Sequence, residues 1–189
     1  GSSVDATSGS ALDAGDIALS GLGSLTLTDI DTANGTITVT AAGAMTVTDV
    51  ASGTNGNISL TTTTGDITGV AIVNAGAGNV TLASAGAIVD DGAAGTVITG
   101  DVLTVTAAGA ITIDSTVASA NISTSAAGAI DLDETDAITL TSLSTNNGSI
   151  IVDAGGAITV TSVNSSAGNQ DISLTTTSGD ITAVATVNA

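Results

Sequence analysis

The chain has 189 residues and contains no Lys, Arg, His, Pro, Cys, Phe, Tyr or Trp. Seventeen Asp and one Glu, Glu134, give it a formal charge of −18 that no basic side chain offsets. This composition excludes salt bridges between side chains, disulfides, thiolate or imidazole metal sites, and catalysis that depends on His or Lys. It also excludes a basic surface for binding nucleic acid or anionic lipid.

Hydrophobic residues make up 42% of the chain, which argues against disorder in spite of the high acidity. They are mostly β-branched Val and Ile and are accompanied by many Thr residues, a combination typical of β-strands. The uncharged stretch 67–89 is interrupted by Gly and Asn turn signals, so we expect no membrane insertion.

The predicted strands carry a short tag, Gly or Asn followed by x-Ile-x-Val/Leu, that recurs along the chain. In chain order, the leading apolar residues of the tags are Ile17, Leu25, Ile37, Met45, Ile58, Ile67, Val80, Ile88, Leu103, Ile111, Ile130, Ile138, Ile150, Ile158, Ile172 and Ile181. They form eight pairs, whose two members are eight or nine positions apart. Successive pairs begin 20, 21, 22, 23, 27, 20 and 22 residues apart, so the chain contains eight copies of a unit of twenty-odd residues.

Each unit has the pattern of short strands joined by turns. Ile, Val or Leu alternates with Thr or Ser, the two-residue period of a strand buried on one face, and Gly and Asn stand between the strands. Two or three such strands per unit predict an all-β fold, a parallel β-helix (β-solenoid) of about eight coils of 20–23 residues, roughly 38 Å long. The interval of 27 residues predicts one longer insertion, around residues 115–127. A β-sandwich is the competing fold, but it normally has aromatic residues and Pro-marked loops.

A longer repeat is superimposed on the short one. Residues 17–75, the first module, recur at 130–189, the second module, with an offset of 113 that becomes 114 after one inserted residue. Within them, residues 58–75 and 172–189 differ only at Thr64/Ser178, Gly69/Ala183 and Ile72/Thr186. We therefore expect residues 1–189 to form a single continuous solenoid that belongs to a longer tandem array.

The Gly-x-Ile-x-Val/Leu tags at twenty-residue pitch resemble the filamentous-haemagglutinin-like repeats of large bacterial surface adhesins. In that family the repeats form a right-handed parallel β-helix that is exported to the cell surface and serves as a stalk or adhesive fibre. The resemblance implies an extracellular location for this chain. It also implies as partners further repeats of the same chain, other copies of it, or a host-cell or matrix ligand.

Acidic clusters are the candidate metal sites. The cluster within residues 131–136 is the first candidate for Ca²⁺, because Ca²⁺ is bound by carboxylate oxygens. Its members are Asp131, Asp133, Glu134 and Asp136, and the weaker candidates are Asp29, Asp31, Asp90 and Asp91. No EF-hand spacing is present, and the alternative is that these residues lie in turns and keep the surface soluble.

Two further surface patterns are typical of ligand or modification sites. Thr-x-Thr triplets such as Thr38/Thr40 resemble an ice-binding face, but the series is interrupted after Ile67 and Ile88, and solvent-facing Thr is common in strands. Six Asn-x-Ser/Thr triplets are candidate N-glycosylation sites, at Asn34, Asn57, Asn79, Asn121, Asn147 and Asn164. Asn at corners followed by Thr or Ser on strands produces such triplets automatically.

The function expected from the sequence is structural. Asp90 and Asp91 resemble the carboxylate pairs of pectin-degrading β-helix enzymes but lack their basic and aromatic neighbours, so we expect no enzymatic activity. We expect a rigid, acidic, protease-resistant segment of a secreted bacterial surface fibre or adhesin that requires no cofactor. The alternatives are an adhesive module that binds Ca²⁺ and a filament or sheath subunit that stacks end to end.

Overall fold

Short parallel strands follow one another along the computed structural model, which describes residues 2–8, 15–21, 23–93, 97–167 and 170–189. The strands are β1 (Ser2–Ser8), β2 (Ile17–Gly21), β3 (Leu25–Thr32), β4 (Ile37–Ala41), β5 (Met45–Val47), β6 (Asp49–Ser52), β7 (Ile58–Thr62), β8 (Ile67–Val70), β9 (Ile72–Asn74), β10 (Val80–Ser84), β11 (Ile88–Asp90), β12 (Ile98–Ala107), β13 (Ile111–Thr124), β14 (Ile130–Glu134), β15 (Ile138–Thr145), β16 (Ile150–Ala154), β17 (Ile158–Ser165), β18 (Ile172–Thr176) and β19 (Ile181–Asn188). All 19 belong to one sheet that winds through about eight stacked turns, so the predicted all-β, parallel β-solenoid is confirmed. In this described part of the chain, no helix is long and apolar enough to cross a membrane.

In the first five coils, the two tags of each predicted unit lie on two sides of the coil. The first tags stack in the order Ile17, Ile37, Ile58, Val80, Leu103. The second tags stack in the order Leu25, Met45, Ile67, Ile88, Ile111. All ten side chains are buried, because a strand with an apolar residue at every second position turns one face to the interior.

The register of the stack changes between Leu103 and Ile130, just before the second module. The sequence predicts that Ile130 stacks on Leu103 after an insertion around residues 115–127. In the structure Leu103 pairs with Ala120, and Ile130 pairs with Ile111 instead. The first tags of the second module therefore continue the column formed by the second tags of the first five coils.

The predicted insertion is wrong for residues 115–124, which form the second part of β13. These residues continue the alternation of a strand without carrying the Gly-x-Ile tag. Val117, Ala120 and Ile122 are buried, and Asn121 is exposed. The chain therefore adds a further rung to the ladder where the sequence predicts a loop.

One interior column changes from apolar to polar in the same place. In the coils nearer the amino terminus this column consists of Ile30, Val50, Val73 and Ile98, all of them buried. It continues through Ser115 and Glu134 to Ala154. A carboxyl group thus occupies an interior position that belongs to Ile or Val in the first coils. We call residues 98–136, which contain β12, β13 and β14, the junction.

Glycines and hydroxyl groups close the corners between strands. Gly15, Gly35, Gly56 and Gly78 stack on one another at a single corner, and Gly100, within β12, lies against Gly78. At that corner the Oγ1 of Thr32 and the Oγ of Ser52 both donate to the carbonyl of Gly35, at 2.9 and 3.0 Å. Across the described residues, every buried side-chain nitrogen or oxygen has a hydrogen-bond partner.

Candidate functional site

Acidic side chains stack on the outer face of β13, β14 and β16. Asp114 pairs with Asp133, and Asp133 pairs with Asp153. Each lies between two buried residues of its strand and therefore points outward. Neighbouring strands are about 4.8 Å apart, so like charges follow one another at each step of the stack. We call these three residues the aspartate column.

Two members of the aspartate column, Asp114 and Asp133, lie in an environment that favours protonation. Burial raises the pKa of Asp114 above its usual 3.8, and the charges of Asp90, Asp133, Asp91 and Asp131 raise it further. Burial likewise raises the pKa of Asp133, with added contributions from Asp131, Asp153 and Asp90. Because the chain contains no basic side chain, none can offset these effects.

Glu134 lies on the inner side of β14, directly behind the column, and its side chain is 4% exposed. The Ser115 hydroxyl donates to Glu134 Oε2 at 2.6 Å, and the amides of Val117 and Asp136 donate to the carboxylate at 3.3 and 3.4 Å. Burial raises the pKa of Glu134 to about 7, and a hydrogen bond with the Asp136 side chain adds to the rise, although the hydrogen bonds from Ser115 and from the two amides act to lower it. The buried carboxyl therefore keeps its proton to a higher pH than an exposed glutamate does.

A shallow open cavity of about 370 Å³ lies beside this buried carboxyl. Its lining includes Thr99, Thr116, Val117 and Asp136. Since the amides of Val117 and Asp136 hold the Glu134 carboxylate, the cavity reaches the immediate surroundings of the buried group.

The members of the first calcium candidate do not form one ligand set. Asp131 and Asp133 lie on the outer face of β14, Glu134 lies inside, and Asp136 follows the strand. Among the described residues, no group of three carboxylates lies close enough together to hold a metal ion. The structure thus identifies no metal ligands here, and calcium binding by residues 131–136 stays a prediction from the sequence.

The weaker calcium candidates lie in two separate places. Asp29 stands beside Asp49, whose pKa is raised by burial and by the charge of Asp29. Asp31 is two residues further along β3. Asp90 and Asp91 lie at the end of β11, and each accepts a hydrogen bond from the backbone amide two residues further on, at 3.1 and 3.0 Å. These last two contacts are those of ordinary turn aspartates.

The sequence analysis missed Asp114 and Asp153, which complete the aspartate column. All three column members stand three residues after a buried tag isoleucine of their own strand. Aligning the chain on Ile111, Ile130 and Ile150 would have revealed the column. The unit-by-unit alignment placed Ile130 above Leu103 and concealed it.

The candidate glycosylation residues lie at the surface. Asn34, Asn57, Asn79, Asn121 and Asn147 are exposed, and Asn164 is partly buried. The side-chain carbonyl of Asn34 accepts a hydrogen bond from the Thr54 hydroxyl at 2.6 Å. That of Asn57 accepts one from the backbone amide of Asn79 at 2.8 Å, and both bonds join one coil to the next. These contacts between coils account for Asn at the corners, and glycosylation stays a prediction.

Comparison of the chain with known protein families, with curated proteins and with solved structures finds no match. The function is therefore argued from the repeated coil and from the chemistry of the junction. Carboxyl groups placed as they are in the junction take up and release protons, and they attract cations from solution.

Proposed function

We propose that this chain is a structural segment of a long bacterial surface fibre or adhesin, in which it serves as a rigid stalk outside the cell. The observation that carries the proposal is the repetition of one coil: in the described part of the chain, 19 strands form one parallel sheet from a unit of twenty-odd residues. The resemblance of the tags to filamentous-haemagglutinin-like repeats supports the same function.

The mechanism of such a stalk is geometric. Each coil buries its apolar residues against its neighbours and pairs its backbone groups with theirs, so the free energy of unfolding accumulates coil by coil. The stack grows by about 4.8 Å per coil along a single axis. A tandem array of the two modules is therefore a fibre, and its stiffness comes from the continuous backbone ladder.

Labelling of intact cells tests the proposed location. Antibodies raised against this chain should label intact cells of the source bacterium, and gold-labelled antibodies should follow extended fibres in electron micrographs. An antibody against a cytoplasmic protein is the control, because it labels cells only after permeabilisation. Labelling by the first antibody that also requires permeabilisation would contradict the proposal.

Self-assembly by stacking is a second candidate function, and the coil of β18 and β19 favours it. Ile181, Val184 and Val187 on β19 are 44%, 63% and 48% exposed. Their equivalents in the first module are Ile67, Val70 and Val73, which are at most 2% exposed because the coil that begins at Val80 covers them. A further coil, from the same chain or from another copy, would bury the three β19 residues in the same way.

Sedimentation velocity over a range of concentrations tests this stacking. If copies stack, the protein should form concentration-dependent oligomers, and Val184→Asp should shift them towards the monomer because it places a charge on the apolar rim. Ser173→Asp adds the same charge on the outer face of β18, where the side chain is exposed and pairs with Ile151, away from the aspartate column, and it should leave the oligomers intact. A wild-type protein that remains monomeric at all concentrations would eliminate self-assembly.

A further inference from the structure

Three features meet in the junction: a buried carboxyl, a stack of outward aspartates and an open cavity. Glu134 points into the interior from β14, while Asp133 points outward from the same strand. The cavity is lined by Val117 and Asp136, the two residues whose amides hold the Glu134 carboxylate. Neither the stalk nor the stacking function uses these features.

We propose that the junction is a pH-dependent switch in the stability of the solenoid, packed tightly when Glu134 is protonated and loosened when Glu134 is ionised. The switch would set the stiffness of this part of the stack according to the acidity of the surroundings.

Every titratable group on the elements packed around Glu134 is acidic. These groups are Asp101 on β12, Asp114 on β13, Asp131 and Asp133 on β14, Asp153 on β16, Asp90 and Asp91 at the end of β11, and Asp136 after β14. Ionised Glu134 gains no ion pair from any side chain, since the chain has no Lys, Arg or His. It instead adds a charge behind a column of like charges, which is destabilising. Protonation removes that charge and keeps a group able to form a hydrogen bond with Ser115.

The direction of the pH effect follows from the burial of the carboxyl. Burial raises the pKa of Glu134 from its usual 4.5 to about 7. Between these two pH values the folded protein holds a proton that the unfolded chain releases, so stability falls as the pH rises from 4.5 to 7 and is lowest above 7. The raised pKa values of Asp114 and Asp133 act in the same direction at lower pH.

The position of the cavity confines the expected loosening to the junction. Water in the cavity contacts Val117 and Asp136, whose amides hold the carboxylate, so a small displacement of these two residues would bring it to ionised Glu134. Strands of the earlier coils that lie outside the junction, such as β4 and β7, carry no Asp or Glu and have no such carboxyl in their interior. Opening is therefore expected in β13 and β14 before the rest of the stack responds.

Thermal unfolding of the whole chain at pH 5 and pH 8, in the presence of a chelator, tests the switch. We expect the Tm of the wild-type protein to be lower at pH 8 by about 5 °C. Glu134→Gln keeps the shape of the side chain but cannot ionise, so it should raise the Tm at pH 8 and remove most of the difference. Asp171→Asn also removes one carboxylate, but from an exposed position just before β18. This variant should keep the Tm difference between pH 5 and pH 8.

Hydrogen exchange of the wild-type protein gives a local measurement that does not depend on the folding of any variant. The exchange rates of amides in β13 and β14 are divided by those in β4 and β7, which removes the intrinsic pH dependence of exchange. We expect this ratio to rise several-fold between pH 5 and pH 8.

Four outcomes would overturn the proposal. They are a Tm that stays constant or rises from pH 5 to pH 8, an unchanged Tm difference in Glu134→Gln, an exchange ratio that does not depend on pH, and a pH effect that requires added Ca²⁺. The last outcome would assign the effect to a bound cation and not to protons.

Discussion

Glycine at the stacked corner is required by the neighbouring coil and not by its own backbone angles. Gly56 does not have a positive φ, but a Cβ at this position would collide with the carbonyl oxygen of Gly35 and with the hydroxyl of Ser52. Both groups are already fixed, because the Gly56 amide donates to Ser52 Oγ at 3.0 Å and Ser52 Oγ donates to the Gly35 carbonyl at 3.0 Å. Any larger residue must therefore push two coils apart.

Replacing this glycine should destabilise the protein strongly. We expect Gly56→Ala to lower the free energy of unfolding by about 2 kcal/mol or more, because overpacked backbone cannot relax without losing hydrogen bonds. Gly23→Ala is the matched control, since a Cβ at Gly23 meets nothing within 4 Å, and its effect should stay within about 0.5 kcal/mol. Denaturant unfolding of the two variants measures both values. Equal effects would show that the corner is looser than the structure describes.

At the scale of the strand, the structure and the sequence prediction differ in the second part of β13, which is a buried strand in the structure and an insertion in the prediction. Ile122 is fully buried in β13, and its neighbour Asn121 is exposed. If residues 115–124 formed an exposed insertion, truncating either side chain would have a similarly small effect.

We expect Ile122→Ala to cost about 2–4 kcal/mol of unfolding free energy, because it removes a buried side chain and leaves a cavity in the core. Asn121→Ala should change the stability by less than about 0.5 kcal/mol. Chemical denaturation of the two variants gives the comparison. An Ile122→Ala variant as stable as the wild-type protein would contradict the strand assignment of this segment.

The alternation of apolar and polar residues was sufficient to predict the strands and their inward faces, but not the stacking of the second module. All tags carry the same pattern, so Ile130 buries its side chain equally well above Ile111 or above Leu103. The choice depends on the small inward residues between the tags, such as Ser115 and Ala120, which let β13 continue as a strand. A prediction based only on the spacing of the tags does not take these residues into account.

The same reasoning explains why the acidic junction was only partly predicted. Glu134 follows Ile130 and Leu132 at alternate positions, and the alternation alone places it inside. From the sequence alone Glu134 is a candidate Ca²⁺ ligand, because a carboxylate without a basic partner normally requires water or a cation. The structure resolves this conflict with three hydrogen bonds and a raised pKa for Glu134, neither of which the sequence displays.

For the whole molecule, the absence of basic side chains gives every long-range electrostatic interaction between side chains the same sign. Eighteen carboxylates repel one another, and no attraction between side chains compensates for them. In the unfolded chain the charges lie farther apart, so the repulsion disfavours the folded state. Salt screens this repulsion, because the Debye length falls from about 30 Å at 0.01 M to about 3 Å at 1 M ionic strength.

We therefore expect salt to stabilise the fold at neutral pH, with a Tm that rises by about 5 °C between 0.01 and 1 M NaCl. Tetramethylammonium chloride at the same concentrations is the control, because its cation screens charge but is a poor carboxylate ligand. The two salts should act alike if the effect is screening, whereas a specific cation site would favour Na⁺. At pH 3 most carboxylates are protonated, so the same titration should have a much smaller effect. A Tm at neutral pH that does not change with NaCl would show that the stacked carboxylates do not destabilise the solenoid.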